Sequence, residues 1–248
     1  PALFADTSWI RPGRSLWSWW SGIDGRYMTV EGERAVIDLA ADMGYEYSTL
    51  DEGWEDLADK WKTLREIADY AAGKGVGLFV WRHWEKLNDP AEDYRQMRSF
   101  MDSVADCGVK GLKIDFMNGE GLCQIRFTTA VLENAARRRL LINFHGCQKP
   151  SGEIRTYPNE LTREGVRGME LNRITANYLS RMRAAGTPVA DRPHVPGNEN
   201  QNIPAFHNAA LPFTRCVAGP ADYTPVGFSM PGDILPVQQL ACACLITS

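Results

Sequence analysis

The segment GLKIDFMNGE, residues 111–120, places Lys113 and Asp115 two positions apart in an otherwise apolar run. On a strand this spacing points both charged side chains to one face, and Leu112, Ile114 and Phe116 to the other. A cation and an anion at the end of so apolar a strand have two readings. As a buried structural ion pair they roughly break even, because desolvation offsets the Coulomb attraction. At the C-terminal end of a barrel strand, where loops gather an active site, they are equipment for chemistry. Asp115 needs a partner for that, and the carboxylates near strand ends in the second half are Glu164 and Glu170, flanking GVRG. A carboxylate pair across a small ligand is the minimum for glycoside hydrolysis. For either Glu alone, a solvated surface charge is the competing reading.

The aromatic residues favour a sugar. Of eight Trp in the chain, Trp17, Trp19, Trp20, Trp54, Trp81 and Trp84 fall at or near expected strand ends. Their flat faces suit the C–H side of a pyranose, although Trp17 is assigned to the core. His83 and His145 could equally be neutral core histidines. Asn143 and His145 share a strand face, a combination suited to hydroxyl recognition. No H-E-x-x-H, G-x-S-x-G or Cys–His arrangement occurs, so zincin, serine-hydrolase and thiol chemistries lack support.

These residues must be positioned by a frame. LWSWW (16–20) reads as a short aromatic strand and GERAVIDLAADMG (32–44) as a helix. YEYSTLDEGW (45–54) reads as a strand with Tyr45, Tyr47, Thr49 and Asp51 on one face. A helix over 60–75, a strand over 76–84, a helix from Pro90, a strand over 109–117, a helix through FTTAVLENAARRRL and a strand over 140–146 follow. Alternation in units of about 30 residues means parallel βα architecture. No G-x-G-x-x-G or P-loop follows any strand, and polar and aromatic residues gather at the strands' C-terminal ends, so a (β/α)8 barrel is expected over an open doubly wound sheet. GVRGMEL (165–171) is the expected sixth strand, with Glu170 at its end, and AGPADYTP a short seventh. HNAALPFTR and PVQQLACACLITS are expected helices, and 185–204 is expected to be irregular. An eighth strand has not arrived by Ser248, so the barrel is expected to be incomplete at its C-terminus.

Composition excludes several classes. With 248 residues, 44% hydrophobic, and a net charge of −4, the chain is ordinary globular protein that argues against nucleic acid as a partner. No apolar run approaches the ~18 residues of a membrane span. Cys107, Cys123, Cys147, Cys216, Cys242 and Cys244 show no C-x-x-C spacing and read as free thiols. The opening PALFADTSWI carries neither an initiator Met nor a basic leader, as expected of an internal piece of a longer protein. Oligomeric state has no signature.

At DTSWIRPGRSLWSWW, LDEGW, KIDF, NFHG, HGCQKPSGEIRTYPN, EGVRGME and LPFTRCVAGPADYTP the sequence resembles glycoside hydrolase family 97, the α-glucoside and α-galactoside hydrolases. The RTYPN and E-x-x-x-G-x-E stretch is the most specific part. The resemblance implies a (β/α)8 barrel set between an N-terminal β-sandwich and a C-terminal β-domain, with calcium at the active site. Residues 1–248 resemble the catalytic barrel alone. In the family, retaining members carry an Asp nucleophile after the fourth strand; inverting members lack it and carry a Glu directly after the fifth-strand His. Here Asp115 is present and Gly146 follows His145, which resembles the retaining, α-galactosidase-like branch. By the same resemblance Glu170 is the general acid/base, and Glu164 and Glu170 sit by the calcium. Lys113 and Asp51 would hydrogen-bond sugar hydroxyls, with Trp19, Trp54, Trp81 and His145 lining the sugar site. An oligosaccharide or glycoside is the implied substrate, and a periplasmic or secreted location the implied compartment. A related retaining glycosidase, acting on β-L-arabinopyranosides or α-glucosides, is the nearest alternative. A non-catalytic sugar-binding fragment is the alternative of another class.

Overall fold

The computed structural model describes residues 4–21, 28–172, 184, 203–224 and 234–247. Contacts divide the chain into two compact units. The first is Pro1–Gln148 with Glu153–Leu161; the second is Lys149–Gly152 with Thr162–Ser248.

The first unit is built on βα repeats. Strands β1 (Ser15–Trp17), β2 (Tyr47–Leu50), β3 (Gly77–His83), β4 (Gly111–Asp115), β5 (Leu141–Phe144) and β6 (Glu160–Arg163) lie side by side in sequence order. Every pairing from β1 to β5 is parallel. Parallel neighbours need a crossover. Helices α1 (Ser18–Ser21), α2 (Val30–Asp42), α3 (Lys60–Gly73), α4 (Arg95–Asp106) and α5 (Leu122–Arg137) lie in these crossovers. Their buried positions follow helical spacing: Val36, Ile37 and Ala40 on α2; Leu64, Ile67, Ala68 and Ala71 on α3; Met97, Phe100, Met101 and Val104 on α4. These pack on the strand row Leu50, Val80, Leu112 and Ile142, which are aligned by register and fully buried. Each such side chain contributes about 1.5–3 kcal/mol of transfer free energy. The sheet is therefore anchored from its helix side, and its opposite face is free to carry polar groups.

Several boundaries differ from the sequence expectation. The first strand ends at Trp17, and Trp19 and Trp20 lie on the short helix α1. Helix α4 begins at Arg95, not Pro90, because Asp93 and Tyr94 take positive φ after a single turn at Pro90–Glu92. The sixth strand is Glu160–Arg163, ahead of the expected GVRGMEL. Asn159 explains the shift. Its side-chain amide donates to the Leu132 and Leu140 carbonyls, and its own carbonyl accepts the Ile142 N–H at 2.8 Å, so it is residue 160 that starts beside β5. Residues 170–172 are helical, which puts Glu170 at the start of a helical turn and not at a strand end.

The second unit has its own core, formed by Met169, Ile203, Leu211, Ala221, Tyr223, Ile234, Cys242 and Ile246. It contains α6 (Ala205–Ala210) and α7 (Pro236–Ile246), near the two expected helices. The expected seventh strand is reduced to one parallel bridge, Ala221 with Arg163. Residues 185–202 of the stretch expected to be irregular lie outside the described residues.

One glycine is required by the packing of β4. A Cβ on Gly111 would stand 2.3 Å from the Phe79 ring and 2.7 Å from the Leu141 carbonyl oxygen, on strands either side. Gly111→Ala is expected to cost about 3 kcal/mol by overpacking. Thermal unfolding by circular dichroism should show it as a fall of several degrees; an unchanged melting temperature would mean the strands yield freely.

Candidate active site

The C-terminal ends of β1 to β5 bring one set of side chains together. Trp81, Lys113 and Asn143 are register partners on β3, β4 and β5, and His83 is the partner of Asp115 one step further. Asp51 follows the last residue of β2. This alternation puts Lys113 on the polar face while Leu112 and Ile114 face the helices, as the spacing in GLKID predicts.

Lys113 is the hub. Only 4% exposed, it places Nζ 2.6 Å from Asp51 Oδ2 and 3.5 Å from Asp115 Oδ2. The same ammonium lies 3.9 Å from the centre of the Trp17 ring, a cation–π contact. Trp17 in turn donates its indole N–H to Asp51 Oδ2. The Asp51 Oδ1 atom accepts the Glu52 amide at 2.8 Å. One cation is thus shared between two buried carboxylates, and both acids gain further donors. Removing Lys113 would leave both carboxylates buried without their shared cation.

Asp115 is held at both oxygens. Oδ2 accepts the Trp81 indole N–H at 3.1 Å and lies 4.0 Å from His145 Nδ1; Oδ1 accepts the Phe116 amide at 2.7 Å. Burial works against its charged form. His145 and Lys113, with the bonds from Trp81 and Phe116, outweigh burial and hold the carboxyl below its ordinary value. The Phe116 bond has a conformational cost: Phe116 has φ 67, a left-handed conformation uncommon for a bulky residue. That turn directs its N–H back onto the preceding carboxylate. The Phe116 ring, exposed, stacks on His83 at 5.5 Å.

Gly146 sits against the same carboxylate. Its φ is +51, and a Cβ there would stand 3.2 Å from Asp115 Oδ1 and 3.1 Å from the Phe116 amide nitrogen. A side chain at 146 would be strained by that φ and would need these neighbours to give by a few tenths of an ångström.

The other candidate residues separate. Trp19 is half-buried and stacks on Trp17 at 4.8 Å and on Trp20 at 6.3 Å, a row of three indoles. Trp54 is not among the residues facing the cluster. It is fully buried between Trp61 and Phe100, and donates its indole N–H to the Trp81 carbonyl at 2.8 Å, bracing β3 from the core. Trp17, assigned to the core by sequence, touches both Asp51 and Lys113. Its position at the last residue of β1, in register with Thr49, was the available signal. Glu164 and Glu170 belong to the second unit and are half-buried. Carboxylates are the right donors for a hard cation that takes six to eight oxygens. Among the described residues, no group of three or more His, Cys, Asp or Glu converges as a metal site.

An acid held ionised by a buried lysine, ringed by indoles and imidazoles at strand ends, suits attack on a sugar. The family model described as Glycoside hydrolase 97 matches residues 17–166, which contain this whole cluster. The chain belongs to glycoside hydrolase family 97. A probable retaining alpha-galactosidase of Streptomyces bingchenggensis is 35% identical over 237 residues, covering 92% of this chain and 32% of that protein. A retaining alpha-galactosidase of Bacteroides thetaiotaomicron is 33% identical over 237 residues, covering 90% of this chain and 31% of that protein. The chain therefore spans about a third of the length of these curated relatives. Among solved structures, a family 97 enzyme from a Pseudoalteromonas species in complex with acarbose is 24% identical. It superposes with a TM-score of 0.65, over 93% of this chain and 37% of its own. A beta-arabinopyranosidase is 23% identical with a TM-score of 0.62, over 96% of this chain and 42% of its own. At these identities the two likenesses show the fold alone. No helix among the described residues is long and apolar enough to cross a membrane.

Proposed function

We propose that the protein containing this chain is a retaining glycoside hydrolase that cleaves terminal α-galactosides through a covalent glycosyl-Asp115 intermediate. The observation that carries the reading is the Asp115 carboxylate, kept ionised by Lys113 and His145 and aimed by Trp81 and Phe116. Gly146 supports it by resemblance, since inverting members of the family carry a Glu directly after the fifth-strand His and this chain has a glycine there. The names of the two curated relatives point the same way.

Asp115 attacks the anomeric carbon and the glycosidic C–O bond breaks, with Glu170 giving its proton to the leaving oxygen. Glu170, now ionised, takes a proton from water, which attacks the intermediate and returns Asp115 as a free carboxylate. This requires the two carboxyl groups about 5–5.5 Å apart in the whole enzyme. Asp51 and Lys113 bind ring hydroxyls, and Trp19 and Trp81 offer faces to the sugar. The complete protein is proposed to close the six strands into a (β/α)8 barrel, with residues 1–248 supplying its catalytic part between flanking β-domains. Calcium has a proposed place beside Glu164 and Glu170, its remaining oxygens coming from outside the described residues. When bound it would bring positive charge to Glu170 and to substrate oxygens.

Proton NMR of the first sugar released from aryl α-galactosides by the full-length protein tests the reading. The α-anomer is expected first, with slow mutarotation to β afterwards. Initial release of the β-anomer would overturn retention. Aryl β-L-arabinopyranosides and α-glucosides in the same panel rank the sugars.

A further inference from the structure

Exposure rises along β4 towards its loop, from 4% at Lys113 to 8% at Asp115 and 43% at Phe116. The Phe116 backbone is left-handed, with φ 67, where asparagine or glycine would sit under less strain. Its amide bond to Asp115 asks nothing of the side chain. A bulky ring kept at a strained, exposed position beside a working carboxylate points to a task for the ring itself. That ring is held in place. It stacks on His83 at 5.5 Å, with 28° between the planes, and meets the Trp81 ring edge-on at 6.1 Å. Trp81 also meets His83 edge-on at 6.2 Å, and is pinned by its own N–H on Asp115. His83 is the register partner of Asp115. Its Nδ1 accepts the Glu85 amide at 3.3 Å, so the proton of the neutral imidazole is on Nε2. Among the described residues Nε2 has no partner, and it is not one of their buried unpaired atoms. A ring N–H donor therefore stands open to solvent beside the Phe116 ring.

We infer that Phe116 and His83 form the platform for the leaving group: Phe116 takes the C–H face of the sugar bonded through the scissile oxygen, and His83 Nε2–H donates to one of its hydroxyls. This rests on the glycosidase reading and extends it to the half of the substrate left unassigned above. A ring whose hydroxyls bind Asp51 and Lys113 sits at the buried end of the site, with its anomeric carbon at Asp115. Attack at that carbon expels the leaving oxygen on the side away from Asp115. For a sugar seated on a buried floor, that side is towards solvent. The group carried on the oxygen then lies over the rim, where Phe116 stands exposed. A flat apolar face with one donor beside it suits a partner that has both a C–H face and hydroxyls. A second sugar meets both conditions, and a simple alcohol meets neither well.

The test sets α-galactosyl fluoride, phenyl α-galactoside and an α-galactosyl disaccharide against full-length wild type, Phe116→Asn, Phe116→Tyr and His83→Phe. Fluoride carries no ring, so dividing each kcat/KM by the fluoride value cancels any change in the aim of Asp115. Asparagine accepts the left-handed backbone and keeps the amide, losing only the ring. In Phe116→Asn the disaccharide and phenyl ratios should each fall about tenfold, carried by KM. Phe116→Tyr should keep both within about twofold of wild type. His83→Phe should keep the phenyl ratio and lower the disaccharide ratio about fivefold, since only the disaccharide has a hydroxyl for Nε2. Ratios that do not move in Phe116→Asn, or that fall as far in Phe116→Tyr, would overturn the inference. Binding is read apart from turnover by saturation-transfer NMR with phenyl thio-α-galactoside. Its phenyl protons should be saturated in wild type and Phe116→Tyr, and not in Phe116→Asn. That pattern without turnover in wild type would sink the glycosidase reading and leave the ring platform standing. Equal phenyl saturation in wild type and Phe116→Asn would overturn the platform.

Discussion

Asp115→Gly in the full-length protein should lose about 10³-fold or more in kcat on aryl α-galactosides, because it deletes the group that forms the glycosyl intermediate. The fold should survive, since Lys113 keeps Asp51 at 2.6 Å and Trp17 below it. Azide should then restore part of the activity by entering the vacated space, giving a glycosyl azide of inverted configuration. Glu170→Gln should behave differently: substrates with good leaving groups need little protonation, so their first step should be damaged less. Azide rescue confined to the Glu170 variant, with a retained product, would exchange the two roles. Near-full activity in Asp115→Gly would make the aspartate structural.

The second large effect is at the hub. Lys113→Met keeps the length of the side chain and removes the cation shared by Asp51 and Asp115. Two buried carboxylates left facing each other should cost about 3–5 kcal/mol of stability at neutral pH. The sign on Asp115 follows from its lowered value: a carboxyl depressed by folding contributes stability that is present above its unfolded range and lost as pH falls. Without Lys113 that depression shrinks, so the acid limb of kcat/KM should move to higher pH in the variant. A pH–rate profile that superimposes on wild type would mean that His145, Trp81 and Phe116 hold the charge without the lysine.

The charged pair was legible because strand period alone assigns faces. Lys113 and Asp115 had to share one face while Leu112 and Ile114 took the core, and Asp51 followed from the alternation through Tyr47 and Thr49. The helix spacing of α2 to α5 was legible for the same reason, since each must bury one stripe on the sheet. Register between strands has no such local signature. That is why Trp17 reads as core in sequence, although alignment with Thr49 brings it to Asp51. Trp54 is the converse case. It stands near a strand end in sequence, but Gly53 turns it into a short helix whose core contacts are Trp61 and Phe100. The sixth strand was misplaced because GVRGMEL alternates well, while the true boundary depends on the Asn159 amide reaching two distant carbonyls. Family resemblance supplied the roles of Glu164 and Glu170, which periodicity could not.

The contacts of Lys113 also carry kinetic information. Its partners are Trp17 on β1 and Asp51 after β2, segments brought together through parallel crossovers and not through hairpins. Such long-range pairings close late, because loop entropy must be met before the contacts reward it. A chain with its helices formed and its strands only locally paired has no ammonium above the Trp17 ring. Quenching or shift of that indole's emission should therefore report when β1 and β4 come together.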